Sequence, residues 1–465
     1  MTRTVIRGGL VITAADETHA DVLVEDGRIA ALAAHDSACA QGWTADRTID
    51  ATGKYVIPGG VDAHTHMELP FGGTFASDTF ETGTRAAAWG GTTTIVDFAV
   101  QSKGASLREG LDAWYAKADG QCAVDYAFHM ILSDVNEGSL KEMDRLVEEG
   151  ITSFKLFMAY PGVFYSDDGQ ILRAMQRSAD NGGLIMMHAE NGIAIDVLVE
   201  QALAAGRTDP RHHGEVRKAL LEAEATHRAI QLARVAGAPL YVVHVSAEEA
   251  VAELTQARDK GLPVFGETCP QYLFLSTDNL AEPDFEGAKY VCSTPLRPKE
   301  HQAALWRGLR TDDLQVVSTD HCPFCFNGQK ELGRGDFSKI PNGMPGVEHR
   351  MDLLHQAVVD GHISRRRWID IACAAPARMF GLYPKKGTVA PGADADIVVY
   401  DPHAEQMLSV DTHHMNVDYS AYEGKRITGR VETVLSRGEE IITDRTYTGR
   451  AGHGQYVPRG ICQNI

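Results

Sequence analysis

Eight short apolar runs alternate with helical stretches through the middle of the chain, and this alternation most constrains the fold. The runs cover residues 56–64, 92–98, 126–132, 151–157, 183–188, 240–245, 263–267 and 315–319. Strand–helix alternation of this kind predicts a parallel sheet closed into an α/β (β/α)8 TIM-like barrel. In such a barrel, reactive side chains gather at the C-terminal ends of the strands. Here the runs close on Ala63-His64-Thr65-His66, Phe154-Lys155, Met187-His188, Val243-His244 and Thr319-Asp320. A strand repeats every two residues, so the His64-x-His66 pair points both imidazoles to one side. Imidazole nitrogens and carboxylate oxygens are common ligands of divalent ions such as zinc. His64, His66, Lys155, His188, His244 and Asp320 therefore define a candidate two-metal hydrolase site, brought together by the barrel.

Lys155 has three readings. A surface charge fits poorly between Phe154 and Leu156-Phe157. A Schiff-base lysine, activated by burial, would attack a carbonyl substrate. A lysine carboxylated by CO₂ would offer two carbamate oxygens to bridge two cations. The four histidines and the aspartate favour the third reading, because a Schiff base has no need of them.

The flanks differ from the centre. Val5-Ile6, Leu10–Ile12, Val22–Val24 and Ile29–Leu32, with turns at Glu25-Asp26-Gly27 and Asp50–Gly53, read as hairpin strands. Ala395–Tyr400 and Val431–Leu435 read likewise. Neither flank can bury a face alone, so residues 1–57 and 381–465 are expected to form one small β-sandwich around a barrel of residues 58–380. Arg7–Thr13 is echoed by Arg437–Thr443, a weak hint of a repeat. Helices are expected over Ser139–Glu149, opened by its serine, and over Glu215–Val235. The latter carries a stripe of Val216, Ala219, Leu220, Ala223, His227, Ile230 and Leu232.

Charge and cysteine content narrow the setting. The net charge of −19 disfavours nucleic acid or an anionic membrane as partner. No apolar stretch reaches the length of a membrane span, and Met1–Arg7 lacks a signal-peptide core, so a cytoplasmic protein is expected. The eight cysteines show no framework spacing and are expected to be reduced thiols, the Cys322-x-x-Cys325 pair included. His129 reads as a core histidine with a backbone partner. His212 and His213 fall in a loop, and His321 beside Asp320 is a candidate support for it.

Nine segments in order carry a resemblance. They are Gly59–His66, Phe71–Thr74, Gly91–Phe98, Ser153–Tyr160, Met187–Asn191, His244–Ser246, Glu267–Tyr272, Ser318–Cys322 and Asn342–Gly346. Over essentially its whole length the chain resembles the dihydropyrimidinase/D-hydantoinase branch of the amidohydrolase superfamily. The resemblance implies two zinc ions per subunit. His64, His66, carboxylated Lys155 and Asp320 would hold one, and the carbamate, His188 and His244 the other. It implies a small cyclic diamide substrate, opened to an N-carbamoyl amino acid by a hydroxide shared between the ions. Tyr160 would stabilise the charged oxygen, and Asp320 would serve as general base and then acid. Backbone groups of Ser293 and Asn342 would hold the imide edge, with Thr294 where the family often has Pro or Ser. Met67, Leu69, Phe71, Phe157 and Phe164 would line a side-chain pocket, although plain packing explains Phe157 equally well. By the same resemblance the Gly-rich tail, Thr446–Tyr456, packs on a neighbouring subunit in a homotetramer. An allantoinase and a non-catalytic scaffold are the alternatives. A dihydroorotase is disfavoured, because no arginine follows the histidine pair in Met67-Glu68-Leu69-Pro70.

Overall fold

The computed structural model describes residues 2–464. At its centre Gly60–Thr65, Thr92–Val100, Asp125–Ile131, Ser153–Phe157, Leu184–His188, Leu240–Val242, Val264–Thr268 and Val316–Val317 pair in chain order. All seven pairings are parallel. The eighth strand returns to the first through a bridge from Thr65 to His321, where His66 N donates to His321 O at 2.9 Å. The sheet is thereby a nearly closed barrel with its helices outside.

The apolar run at 56–64 divides at Gly59. Tyr55–Pro58 pairs with Ile397–Tyr400 in the flanking sheet, and only Gly60–Thr65 enters the barrel. A side chain at Gly59 would collide with Thr93 on the next strand, so only glycine allows the crossing.

Two helix expectations are corrected. The helix Glu137–Glu148 is capped by Asn136, not opened by Ser139. Ser139 is its third residue and completes a capping box, with Asn136 N donating to Ser139 Oγ at 2.9 Å. The stretch 215–235 is not one helix: Arg211–Val216 and Ala219–Ala236 are separated at Arg217-Lys218. The break turns Arg217 inward to donate to Glu190 Oε2 at 2.7 Å. Leu220, on the expected stripe, is exposed, and His227 sits at the surface on Glu253.

The flanks form one nine-stranded sheet. Its path runs Thr446–Tyr447, Glu439–Thr443, Arg426–Ser436, Ile397–Met407, Tyr55–Pro58, Arg3–Ile12, Glu17–Glu25 and Arg28–Ala34, and Arg47–Asp50 also pairs with Arg3–Ile12. The sheet folds over so that its Arg28–Ala34 edge meets the segment leading into Ile397–Met407. Ile29 N donates to Ala393 O at 3.0 Å, and Gly27 packs on Arg437 O. Val11, Val22, Ile29, Val56, Ile397 and Leu435 share the enclosed core. The echo of Arg7–Thr13 in Arg437–Thr443 is not a structural repeat. Gly8 and Gly9 lie in an irregularity within a strand, whereas Arg437-Gly438 is the turn of a hairpin.

The C-terminal tail is ordered against its own chain. It packs on its own barrel, where Tyr126 N donates to Gln455 O at 3.0 Å and Val457 N to Tyr126 O at 2.8 Å. Buried Arg459 donates to Phe128 O at 2.6 Å and Ser153 Oγ at 2.8 Å. Backbone pairing of this kind needs no apolar period, which is why composition gave no sign of it. The tail covers the barrel floor, opposite the strand ends that carry the site.

Candidate active site

His64 is the last residue but one of the first strand and His66 follows that strand; Lys155 lies in the fourth strand, and His188 ends the fifth. His244 and Asp320 follow the sixth and eighth strands. The Nε2 atoms of His64 and His66 lie 3.1 and 3.2 Å from Asp320 Oδ1. Lys155 Nζ lies 2.9 Å from His64 Nε2, and His188 Nδ1 lies 3.0 Å from His244 Nε2. Nitrogen or oxygen atoms of His64, His244 and Asp320 all lie within 4.8 Å of one another, a spacing one ion can bridge. Tyr160, His244 and Asp320 have φ of +63°, +40° and +51°, so the backbone holds three of these residues in a strained conformation.

Burial governs the protonation states. It pushes His66 down to about 3 and lowers His188 and His244, leaving neutral imidazoles with free lone pairs. Burial and the Lys155 charge act downward on His64, but Glu267 and Asp320 outweigh them and raise it. Burial brings the Lys155 ammonium down to about 8. It would raise Asp320, yet the surrounding histidines hold that carboxyl well below its ordinary range.

Carboxylates behind the site orient two of the rings. Glu267 pairs with His64 Nδ1 and accepts from Tyr241 OH at 2.8 Å. Glu190 Oε2 lies 2.8 Å from His188 Nε2 and is itself held by Arg217. Each fixes the proton on the outer nitrogen and turns the other nitrogen inward. His66 Nδ1 and His244 Nδ1 are buried without a hydrogen-bond partner among the described residues. Imidazoles, three of them held neutral by burial, with a carboxylate and a lysine converging on one point, suit divalent cations.

The site opens into a cavity at the mouth of the barrel. Leu69, Phe71, Phe157, Phe164 and Tyr160 line it, as do Ser293 and Asn342. Asn342 Nδ2 donates to Ser293 Oγ at 3.0 Å and to Tyr160 OH at 3.4 Å. Burial raises the Tyr160 pKa, so its hydroxyl keeps a proton to donate. Phe157 both packs and lines, stacking on Phe164 at 4.9 Å and on His188 at 5.2 Å.

Residues 55–438 match the sequence pattern of the Amidohydrolase family. The chain belongs to that family. It is 85% identical over 463 residues to the D-hydantoinase of Streptomyces coelicolor, covering 100% of this chain and 99% of that one. It is 50% identical to the D-hydantoinase of Geobacillus stearothermophilus, covering 98% and 96% of the two chains. A solved dihydropyrimidinase from Brevibacillus agri superposes with a TM-score of 0.97 at 49% identity, covering 99% of each chain.

In this amidohydrolase one expected pocket residue lies elsewhere. Met67 does not line the cavity: its backbone N donates to Asp97 Oδ2 at 2.8 Å, and its sulfur packs on Gly83. His129 is a core histidine, with Nε2 3.0 Å from Ala63 O. His213 lies in a helix and not a loop, buried with Nε2 2.8 Å from Cys292 O, and His212 shares that helix. His321 Nε2 meets Asp78 at 3.0 Å while Nδ1 accepts from Gly346 N, which anchors the turn after Asp320. All eight cysteines are free thiols, and Cys322 borders the cavity.

Glu190 and Glu267 stand in the motifs but were given no role from sequence. A carboxylate near the end of a barrel strand, as Glu267 is, was an available signal. Arg217 and Lys330 had none, since Arg217 meets Glu190 from 27 positions away and Lys330 meets backbone carbonyls, which every residue carries.

Proposed function

We propose that this amidohydrolase opens 5-substituted hydantoins and 5,6-dihydropyrimidines to N-carbamoyl amino acids, adding water across a ring amide C–N bond. The observation that carries this reading is the convergence of His64, His66, Lys155, His188, His244 and Asp320 beside Tyr160, Ser293 and Asn342. The names of the relatives, D-hydantoinase and dihydropyrimidinase, support the substrate class.

Lys155, as neutral amine, would add to CO₂, forming an N–C bond and releasing a proton. His64, His66, the carbamate and Asp320 would hold one zinc ion, and the carbamate, His188 and His244 a second. When bound, such ions make water nucleophilic near neutral pH and polarise a carbonyl. Asp320 would accept the proton of the attacking water and return it to the departing ring nitrogen. Tyr160 would donate to the carbonyl oxygen as charge builds there, a contribution of ~3–4 kcal/mol. Backbone groups at Ser293 and Asn342 would pair with the C=O, N–H, C=O edge of the ring. Leu69, Phe71, Phe157 and Phe164 would receive the substituent on the ring carbon. That apolar lining suits an aryl or alkyl group better than the polar ureido group of allantoin.

We place the protein in the cytoplasm, where eight free thiols persist, and propose a homotetramer on the family resemblance. No helix among the described residues is long and apolar enough to cross a membrane. The test is metal analysis with a rate comparison of phenylhydantoin, dihydrouracil and allantoin on protein supplied with zinc and bicarbonate. About two ions per chain are expected, with turnover of the first two substrates ahead of the third. Absence of hydrolysis of all three would overturn the reading.

A further inference from the structure

Lys330 is a fully buried lysine outside the metal-binding cluster, set in a short 3₁₀ turn after the eighth strand. Its Nζ donates to Val291 O at 2.9 Å, Pro341 O at 2.7 Å and Gly343 O at 2.7 Å. An ammonium has three protons, and all three are used on backbone carbonyls. No carboxylate is paired with it among the described residues, and burial pushes the amine down to about 7. An apolar side chain would fill this space without a buried charge to desolvate. The placement makes sense as a clamp on the three carbonyls.

Those carbonyls bracket the two residues proposed to read the substrate. Val291 stands two before Ser293, and Pro341 and Gly343 flank Asn342. The two loops share one further backbone bond, from Gly343 N to Val291 O at 3.0 Å. Gly343 has no room for a side chain because Cys322 O lies against it, so this loop also abuts the turn after Asp320. One cation therefore sets the spacing between the Ser293 and Asn342 backbones.

We infer that Lys330 is a positioning residue for substrate recognition, holding the 291–294 and 341–344 loops at the separation that a planar imide edge requires. The inference rests on the hydantoin and dihydropyrimidine reading for its substrate, but the clamp itself can be measured without turnover.

The test is Lys330→Met, which keeps the length and removes the donors, assayed on phenylhydantoin and dihydrouracil with metal content measured in parallel. KM is expected to rise about tenfold or more, with kcat within about threefold and metal content unchanged. Amide exchange in segments 291–294 and 341–344 is expected to quicken about tenfold, while segments around His64 and His188 stay as they were. An unchanged KM with unchanged exchange would overturn the inference. So would parallel loss of kcat and metal, which marks a purely structural role. If Lys330→Met does not fold, Lys330→Gln is measured the same way, and failure of both to fold also overturns it. Should the unaltered enzyme turn over neither substrate, the substrate reading fails, and the exchange comparison still decides whether Lys330 clamps the loops.

Discussion

Two buried lysines lie toward opposite ends of the barrel in opposite electrostatic surroundings. On the floor, Lys386 Nζ lies 2.6 Å from Asp125, 3.0 Å from Asp394 and 2.6 Å from Asp396. Arg437 also pairs with Asp125, so the cluster joins the barrel to the flanking sheet. This acidic trio has the spacing of a metal site, but an ammonium already fills it. At the mouth, Lys155 Nζ has one hydrogen-bond partner among the described residues, His64 Nε2, and otherwise faces the rings of Phe98 at 4.4 Å and Phe157 at 5.0 Å. Lys386 is surrounded by charge that fixes its proton. Lys155 has few contacts that hold one, which leaves the amine free to react. Lys386 is thus structural on the floor, while the surroundings of Lys155 suit the chemical role proposed for it at the mouth.

Replacing Lys155 with alanine tests the mouth half of the contrast and carries the largest expected effect. It removes the side chain proposed to bridge two cations as a carbamate. Activity is expected to fall ~10⁴-fold, as when one member of an interdependent catalytic set is lost. Metal content is expected to fall with it, while the denaturation midpoint stays near that of the unaltered enzyme. Retained metal and activity would show that Lys155 is as structural as Lys386.

Lys386→Met makes the reverse test. It leaves Asp125, Asp394 and Asp396 buried with only Arg437 as counter-charge, and removal of one partner from a buried ion pair costs about 3–5 kcal/mol. That loss is expected in denaturant unfolding, with kcat of the folded enzyme within about threefold. A fall in kcat without loss of stability would join floor to mouth and break the comparison.

The mouth was more legible in the sequence than the floor. Its candidate ligands close apolar runs, and a run that ends on a charged or imidazole side chain is visible without a structure. Periodicity reports burial but not direction, and the misplacement of Met67 follows from that. Met67 is apolar and beside the histidine pair, yet Asp97 takes its backbone N–H and turns its side chain into the core. The division at Gly59 was hidden because both halves of the 56–64 run are apolar. The floor is made of long-range polar contacts, Lys386 to Asp125 across 261 positions and Arg459 to Ser153 across 306. Composition does not encode such pairings, and a Gly-rich tail showed nothing of the carbonyls it meets.

The smallest expected effect sharpens the floor itself, by asking whether charge or shape holds it. Arg459 donates from one nitrogen to Phe128 O and Ser153 Oγ. Ser153 Oγ meets His129 Nδ1, and His129 Nε2 lies 3.0 Å from Ala63 O, one residue before His64. A continuous series of polar contacts therefore runs from the tail to the first ligand strand. Arg459→Lys keeps the positive charge but gives up the second guanidinium nitrogen, which donates to Phe380 O at 3.5 Å, and the planar group over the Phe380 ring. A loss of about 1 kcal/mol is expected, the worth of one hydrogen bond, read as a lower denaturation midpoint. Hydrolysis rate and metal content should not change, because the His64 ring is fixed by Glu267 and not by the floor. If Arg459→Lys instead released metal at unchanged stability, the contacts through Ser153 and His129 would be setting the His64 position. The two ends of the barrel would then be one unit.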